Sequence, residues 1–297
     1  MRPLQLVITD SGLGGLAVCA GLERAVRDQV AATGLRLTYV NAWPEEGRGY
    51  NDLPDLAARA AAFDRALSAL DGLSPDLLVI ACNTLSIVYE HTTHRRRAPY
   101  PVQGIVDAGV DLFVQALRAK PASSLVLLGT RTTIDSGVHT RRLIERGVDA
   151  VRIGSASCHG LATAIEAVPS GPTTNALLDT CARRAAAAAG PGSPLLAGLC
   201  CTHYGLVADR LSAAIARHAA RPVEPLDPNG WMVRDIVARL SAADILRPAP
   251  EGDLRLQVVS KVILPDAKRH NVAELLEPVS PATARALRDY THVPALF

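Results

Sequence analysis

Short continuous runs of Val, Ile and Leu alternate with longer Ala-rich stretches along the chain. The runs at 4–9, 35–40, 77–81, 101–106, 124–129, 150–153, 194–199 and 254–264 read as strands. The stretches near 14–31, 54–71, 107–119, 136–146, 159–168, 174–189, 206–219 and 229–244 read as helices. Strand Leu77-Leu78-Val79-Ile80-Ala81 has no polar alternate position, which predicts a sheet covered on both faces. The alternation predicts βαβ units and an α/β fold of mostly parallel sheets flanked by helices. Local punctuation agrees. Ser11-Gly12-Leu13-Gly14-Gly15 lies between a strand and a helix, and Pro191-Gly192-Ser193-Pro194 between a helix and a strand. Ser280-Pro281 reads as a helix start, with Ser as cap and Pro at the first helical position.

A weak repeat lies inside this pattern. Val79-Ile80-Ala81-Cys82-Asn83-Thr84 and Ala197-Gly198-Leu199-Cys200-Cys201-Thr202-His203 each run from an apolar strand through a cysteine into small polar residues and a helix. Cys82 and Cys201 are thereby expected at the C-terminal ends of parallel strands, where open α/β sheets bind ligands. A helix N-terminus at each is expected to lower the thiol pKa, because unpaired N–H groups favour the thiolate.

Composition narrows the chemistry. Charged residues make up 20% and the net charge is +2, too small a field to predict a nucleic-acid partner. Arg95-Arg96-Arg97 is a short run that reads as a solvated loop. No apolar run reaches a membrane span and the N-terminus lacks a signal-peptide pattern, so a cytoplasmic protein is expected, with no membrane partner. The six cysteines are scattered and lack zinc-ligand spacing, so neither a disulfide scaffold nor a metal site is expected. Cys19, Cys158, Cys181 and Cys200 read as small core residues. For Cys82 and Cys201, two chemistries use paired thiols: a disulfide, or a proton relay in which one thiolate and one thiol flank a carbon and serve its two faces. Asp10, Glu166 and His203 are candidate neighbours that would tune such a pair. The glycine turn lacks the third glycine of a dinucleotide fingerprint and no P-loop Lys follows it, which argues against a nucleotide.

Several motifs occur in a telling order. Thr9-Asp10-Ser11-Gly12-Leu13-Gly14-Gly15-Leu16 resembles the opening motif of the cofactor-independent glutamate racemases. Ala81-Cys82-Asn83-Thr84 and Cys201-Thr202-His203-Tyr204 resemble their two cysteine motifs, and Gly129-Thr130-Arg131-Thr132-Thr133-Ile134-Asp135-Ser136-Gly137 the segment between them. Pro101 to Asp107 and Leu226 to Arg239 are similar to the family's passages between lobes. The likeness covers roughly residues 4–240 and is specific to the aspartate/glutamate racemase superfamily. It implies two pseudo-symmetric α/β lobes with the active site in the cleft between them. Lobe 1 would be 1–99 plus 211–297, with Asp10 and Cys82. Lobe 2 would be 100–210, with Glu166, Cys201 and His203. The resemblance implies two-base transfer of an α-proton between L- and D-glutamate. Cys82 would serve the D-face and Cys201 the L-face, assisted by Asp10, His203 and Glu166. Asp10, Ser11, Tyr50, Asn51, Asn83, Thr84, Thr130, Thr133, Thr202 and His203 would bind the substrate. No metal, pyridoxal phosphate or other cofactor is implied. A homodimer and a role in cell-wall peptidoglycan synthesis are.

The chain departs from that pattern in places. The family's Pro-Tyr-Gly is replaced by Ala42-Trp43-Pro44-Glu45-Glu46-Gly47-Arg48-Gly49-Tyr50-Asn51, where Tyr50-Asn51 stands in after an insertion. Arg48 and Trp43 are candidates to enter the pocket, and Asn51 in place of glycine raises the question of an unusual backbone angle. Gly205 and His159 stand where the family has proline. Residues 266–297 form a charged helical tail with no counterpart in the motif order, expected as a packing or oligomer contact. Two alternatives stay open: a racemase or epimerase of the same superfamily with another substrate, and a non-catalytic binding protein that keeps the fold.

Overall fold

Apolar runs become parallel ladders wherever a neighbouring run can supply the partner. The computed structural model describes residues 2–27, 34–242 and 254–297. Its strands and helices run β1 (Leu4–Asp10), α1 (Leu16–Val26), β2 (Leu35–Asn41), α2 (Leu56–Asp71), β3 (Leu77–Ile80), α3 (Asn83–Tyr89), β4 (Val102–Gly104), α4 (Ile105–Ala119), β5 (Ser124–Gly129), α5 (Arg131–Asp135), α6 (Val138–Glu145), β6 (Ile153–Ser157), α7 (Leu161–Ala167), α8 (Pro172–Ala188), β7 (Leu195–Cys200), α9 (Ala208–Ala219), β8 (Val223–Leu226), α10 (Pro228–Ala242), β9 (Leu254–Ser260), α11 (Asp266–Leu276), α12 (Pro281–Arg288) and β10 (Thr291–His292). The last residues of two expected helices, 28–31 and 243–244, lie outside the described residues.

The chain divides into two units, Met1–Ile105 with Met232–Phe297, and Val106–Trp231. The first holds a six-stranded sheet in the order β10-β9-β2-β1-β3-β4, and every pairing in it is parallel. The second holds a parallel four-stranded sheet, β6-β5-β7-β8. The two share one plan. The first strand of each repeat, β1 or β5, has the second strand on one side and the third on the other. That makes the β1/β3 and β5/β7 seams topological switch points, where the loops after adjacent strands diverge. Residues 211–231, assigned above to the first lobe, belong to the second unit, because β8 pairs with β7 from Leu195↔Val223 to Gly198↔Leu226.

Each unit has its own core. In the first, Val7, Leu78 and Ile80 pack with Phe63, Leu67 and Leu70 of α2. In the second, Val126, Leu128 and Leu199 pack with Leu178 and Ala182 of α8 and Ile215 of α9. Asp55 caps α2 through Ala58 N, and Ser280 caps α12 through Thr283 N.

The structure corrects several expected boundaries. The run 101–106 is strand only to Gly104; Ile105 starts α4, its N–H donating to Ser86 Oγ. Residues 150–152 form a 3-10 turn, and the strand lies at 153–157, where Gly, Ser and Ala hide the apolar signal. A Cβ on Gly154 would stand 2.0 Å from Ala188 O, so only glycine lets α8 end there. The strand expected over 254–264 stops at Ser260.

Candidate functional site

In the first unit the site begins where β1 ends. Asp10 is buried, and its Oδ1 accepts from Gly12 N at 3.0 Å and from Ser11 Oγ at 3.5 Å. This carboxylate folds the Ser-Gly-Leu-Gly-Gly turn around itself. A Cβ on Gly15 would lie 2.8 Å from Asp10 Oδ2, so the turn closes only over glycine. Tyr39 of β2 donates to Gly12 O at 2.6 Å and fixes the turn from the neighbouring strand.

Cys82 follows β3, the strand beside β1, and caps α3. Its Sγ lies 3.2 Å from Ser11 Oγ and accepts from Leu85 N at 3.4 Å. The expectation of a lowered thiol pKa fails here. Burial and then the Asp10 carboxylate push the Cys82 thiol well above its ordinary range. The hydrogen bonds from Ser11 and Leu85 work against that shift without overcoming it. Burial and the carboxylate both favour the neutral thiol at Cys82.

Around it, Asn83 and Thr84 are buried in the first turn of α3. Tyr50 is buried in the same cluster as Cys82. Its ring meets Phe63 edge-on at 6.1 Å and its carbonyl accepts from Arg59 Nε at 2.9 Å. The Tyr50 hydroxyl is buried with no hydrogen-bond partner among the described residues. A buried orphan donor is costly and points to a ligand that would satisfy it. Asn51 lies half-buried in the 3-10 turn Tyr50–Asp52. Its backbone is not left-handed: the only described non-glycine residues with positive φ are Ser74 and Ala220, so the lost glycine costs no strain here. Arg48 is exposed in the turn at Gly47, and Trp43 instead covers Gly49, where a Cβ would be 2.6 Å from its ring.

The second unit repeats the arrangement with different chemistry. Cys201 follows β7, the strand beside β5, and leads a 3-10 turn over Thr202–Val207. Its Sγ is 3.7 Å from His203 Nδ1, and His203 Nε2 is 2.7 Å from Glu166 Oε1 of α7. All three side chains are buried. Burial alone would lower the His203 pKa. Hydrogen bonding and charge from Cys201 and Glu166 outweigh that and hold it well above the ordinary histidine value. Each ring nitrogen of His203 thus faces a partner that favours its protonated form. Thr130, after β5, caps α5, and its Oγ1 lies 3.0 Å from the Oγ1 of buried Thr133. Thr202, which follows Cys201 in the chain, is buried as well.

Two supporting residues escaped the sequence reading. Asn229 Nδ2 donates to Thr202 O at 3.0 Å, and Asp227 Oδ1 accepts from Asn229 N at 3.0 Å. Burial raises the Asp227 pKa to about 6 against those hydrogen bonds. The pair explains Gly205: a Cβ there would meet Asp227 Oδ2 at 2.4 Å, which excludes proline. The Asp-Pro-Asn helix start was the available signal. His159 is exposed, while Cys19, Cys158, Cys181 and Cys200 are buried packing residues. Among the described residues no group of three or more His, Cys, Asp or Glu could hold a metal. Nor is any described helix long and apolar enough to cross a membrane.

The comparisons point the same way. A glutamate racemase from Campylobacter jejuni is 32% identical over 147 residues, which are 48% of this chain and 53% of that protein. One from Helicobacter acinonychis is 27% identical over 229 residues, 75% of this chain and 81% of that protein. The fold matches a glutamate racemase from Francisella tularensis solved in complex with D-glutamate, with a TM-score of 0.72 at 18% identity, covering 99% of this chain and 98% of that one. The Asp/Glu/Hydantoin racemase family model matches residues 7–235. The repeated sheet order, the thiol at each switch point and this match over most of the chain make it a member of the Asp/Glu/Hydantoin racemase family, a family of isomerases.

Proposed function

We propose that this chain interconverts L- and D-glutamate without a cofactor, by moving the α-proton between two thiols. The observation that carries the reading is the repeated setting of Cys82 and Cys201. Each thiol follows the strand beside the first strand of its repeat, and each has a titratable neighbour, the Asp10 carboxylate for Cys82 and the His203 ring for Cys201. In the direction from L to D, Cys201 as thiolate takes the α-proton and becomes the neutral thiol, and the His203–Glu166 pair beside it favours the thiolate before the transfer. Cys82, favoured as thiol by burial and Asp10, supplies a proton to the opposite face. The two-base reading requires the two sulfurs to address opposite faces of one carbon. Ser11, Asn83, Thr84, Thr130, Thr133 and Thr202 offer hydroxyls and amides suited to carboxylates and an ammonium. The orphan Tyr50 hydroxyl, with Asn51 next to it, is a further donor for a substrate carboxylate. The six free cysteines fit a cytoplasmic enzyme feeding D-glutamate to peptidoglycan synthesis.

The test is incubation with single enantiomers of glutamate in deuterated water, following α-exchange by NMR and inversion by circular dichroism. Exchange and inversion are expected, and both Cys82→Ala and Cys201→Ala should lower inversion by at least about 10²-fold. Exchange with another amino acid and none with glutamate would move the assignment within the family. Full inversion by either cysteine variant would refute the two-thiol relay. Size-exclusion chromatography with light scattering tests the homodimer that the resemblance implies.

A further inference from the structure

The segment 42–51 departs from the family pattern, and the structure shows what holds residues 43–51 of it. Lys261, in the loop after β9, donates from Nζ to Pro44 O at 3.0 Å. Two residues on, Ile263 N donates to Glu46 Oε1 at 2.6 Å. The same Lys261 ammonium sits 4.6 Å from the centre of the Phe297 ring, a cation–π contact. Phe297 and Leu296 pack on the cluster that contains Ala42, Tyr50 and Cys82.

That loop is itself tied down. His292 Nε2 lies 3.0 Å from Lys261 O, and Val293 N donates to Ser260 O at 2.9 Å. Tyr290 accepts from Leu264 N at 3.0 Å through its hydroxyl. On the other side, Trp43 lies on Gly49, the residue before Tyr50, and Gly49 N donates to Asp52 Oδ2 at 2.8 Å. A continuous set of contacts thus runs from 261–297 through 43–49 to Tyr50, all within the first unit.

We infer that residues 261–297 are a brace that fixes the 43–51 loop, and with it the hydroxyl of Tyr50 in the cluster that holds Cys82, and so set which acidic amino acid the site accepts. The inference rests on the racemase reading for its substrate and on the contacts alone for the brace. Lys261 and Phe297 are positioning residues, acting on substrate only through the loop. A loop held at one height fits one side-chain length. A loosened loop lets the hydroxyl wander and weakens discrimination between glutamate and the shorter aspartate.

The test uses the full chain with Lys261→Ala, Phe297→Ala and Glu46→Ala. Glu46 is exposed, so its replacement leaves the core intact if a change at Phe297 prevents folding. Amide hydrogen exchange over 43–51 should quicken on the order of tenfold, with β1 and β3 unchanged. KM for glutamate should rise on the order of tenfold with kcat nearly constant, and the preference for glutamate over aspartate should fall. Lys261→Arg, which keeps a cation and a donor, should restore both. Unchanged exchange would overturn the brace. Faster exchange with an unchanged KM and unchanged preference would overturn its role in specificity. Faster exchange in a protein whose wild type is inert toward both amino acids would sink the acidic-amino-acid reading and leave the brace standing.

Discussion

At the scale of single residues, the two thiols differ in what surrounds them. Cys82 is pressed toward the neutral form by burial and a carboxylate; Cys201 faces the His203 ring, which Glu166 backs from its other nitrogen. The His203 shift has a stability consequence whose sign is fixed. Its folded value lies well above the ordinary 6.5, so its pairing stabilises fully below that pH. The contribution is then lost as pH rises through the folded value. Glu166→Gln keeps the side-chain shape and removes the charge. Urea unfolding of the variant across pH 6 to 10 is expected to show a flatter alkaline decline than wild type. Its kcat/KM should drop on the order of 10²-fold. A variant with the wild-type slope would show that His203 keeps its proton without Glu166.

At the scale of elements, the sequence was most legible where one residue's environment is built from its chain neighbours. The central strands, the helices that cover them and both cysteine turns follow from local pattern and from the repeat. What stayed hidden was set by distant partners. β8 contains Pro225, which argues against a strand, yet β8 is an edge strand, where a missing N–H costs no ladder bond. β6 is written in small residues because α8 ends against Gly154. The candidate residues could be named, but the link from His203 to Glu166 joins positions 37 apart on separate elements. The support from Asn229 to Thr202 spans 27. Gly205 makes the same point in testable form. Gly205→Ala would drive a Cβ against Asp227 Oδ2 and Asn229 Nδ2, at 2.4 and 3.0 Å. Overpacking of this kind costs about 1–3 kcal/mol. Asp227→Ala should recover most of that loss in a double-mutant cycle read by thermal unfolding. Additive losses would mean that the clash is relieved by moving the turn instead.

At the scale of the whole molecule, the two units share a strand order but differ in how the chain assembles them. The second unit is one unbroken segment, Val106–Trp231, with its own sheet and core. The first is built from two segments, and the later one supplies β9, which pairs with β2 along its whole length from Leu35↔Leu254 to Asn41↔Ser260. Continuity and a private core are what independent folding needs. A polypeptide of residues 106–231 is therefore expected to fold alone, with cooperative thermal unfolding by circular dichroism and dispersed amide NMR signals. A polypeptide of residues 1–105 lacks the strands beside β2 and leaves that ladder open, so it should be unfolded or aggregated. Adding 232–297 in trans should rescue it, because the missing partner is a separate stretch of chain rather than a missing turn. Cooperative folding of 1–105 by itself would mean that β1, β3 and α2 already suffice, and that β9 with the segment after it serves the 43–51 loop instead of the sheet.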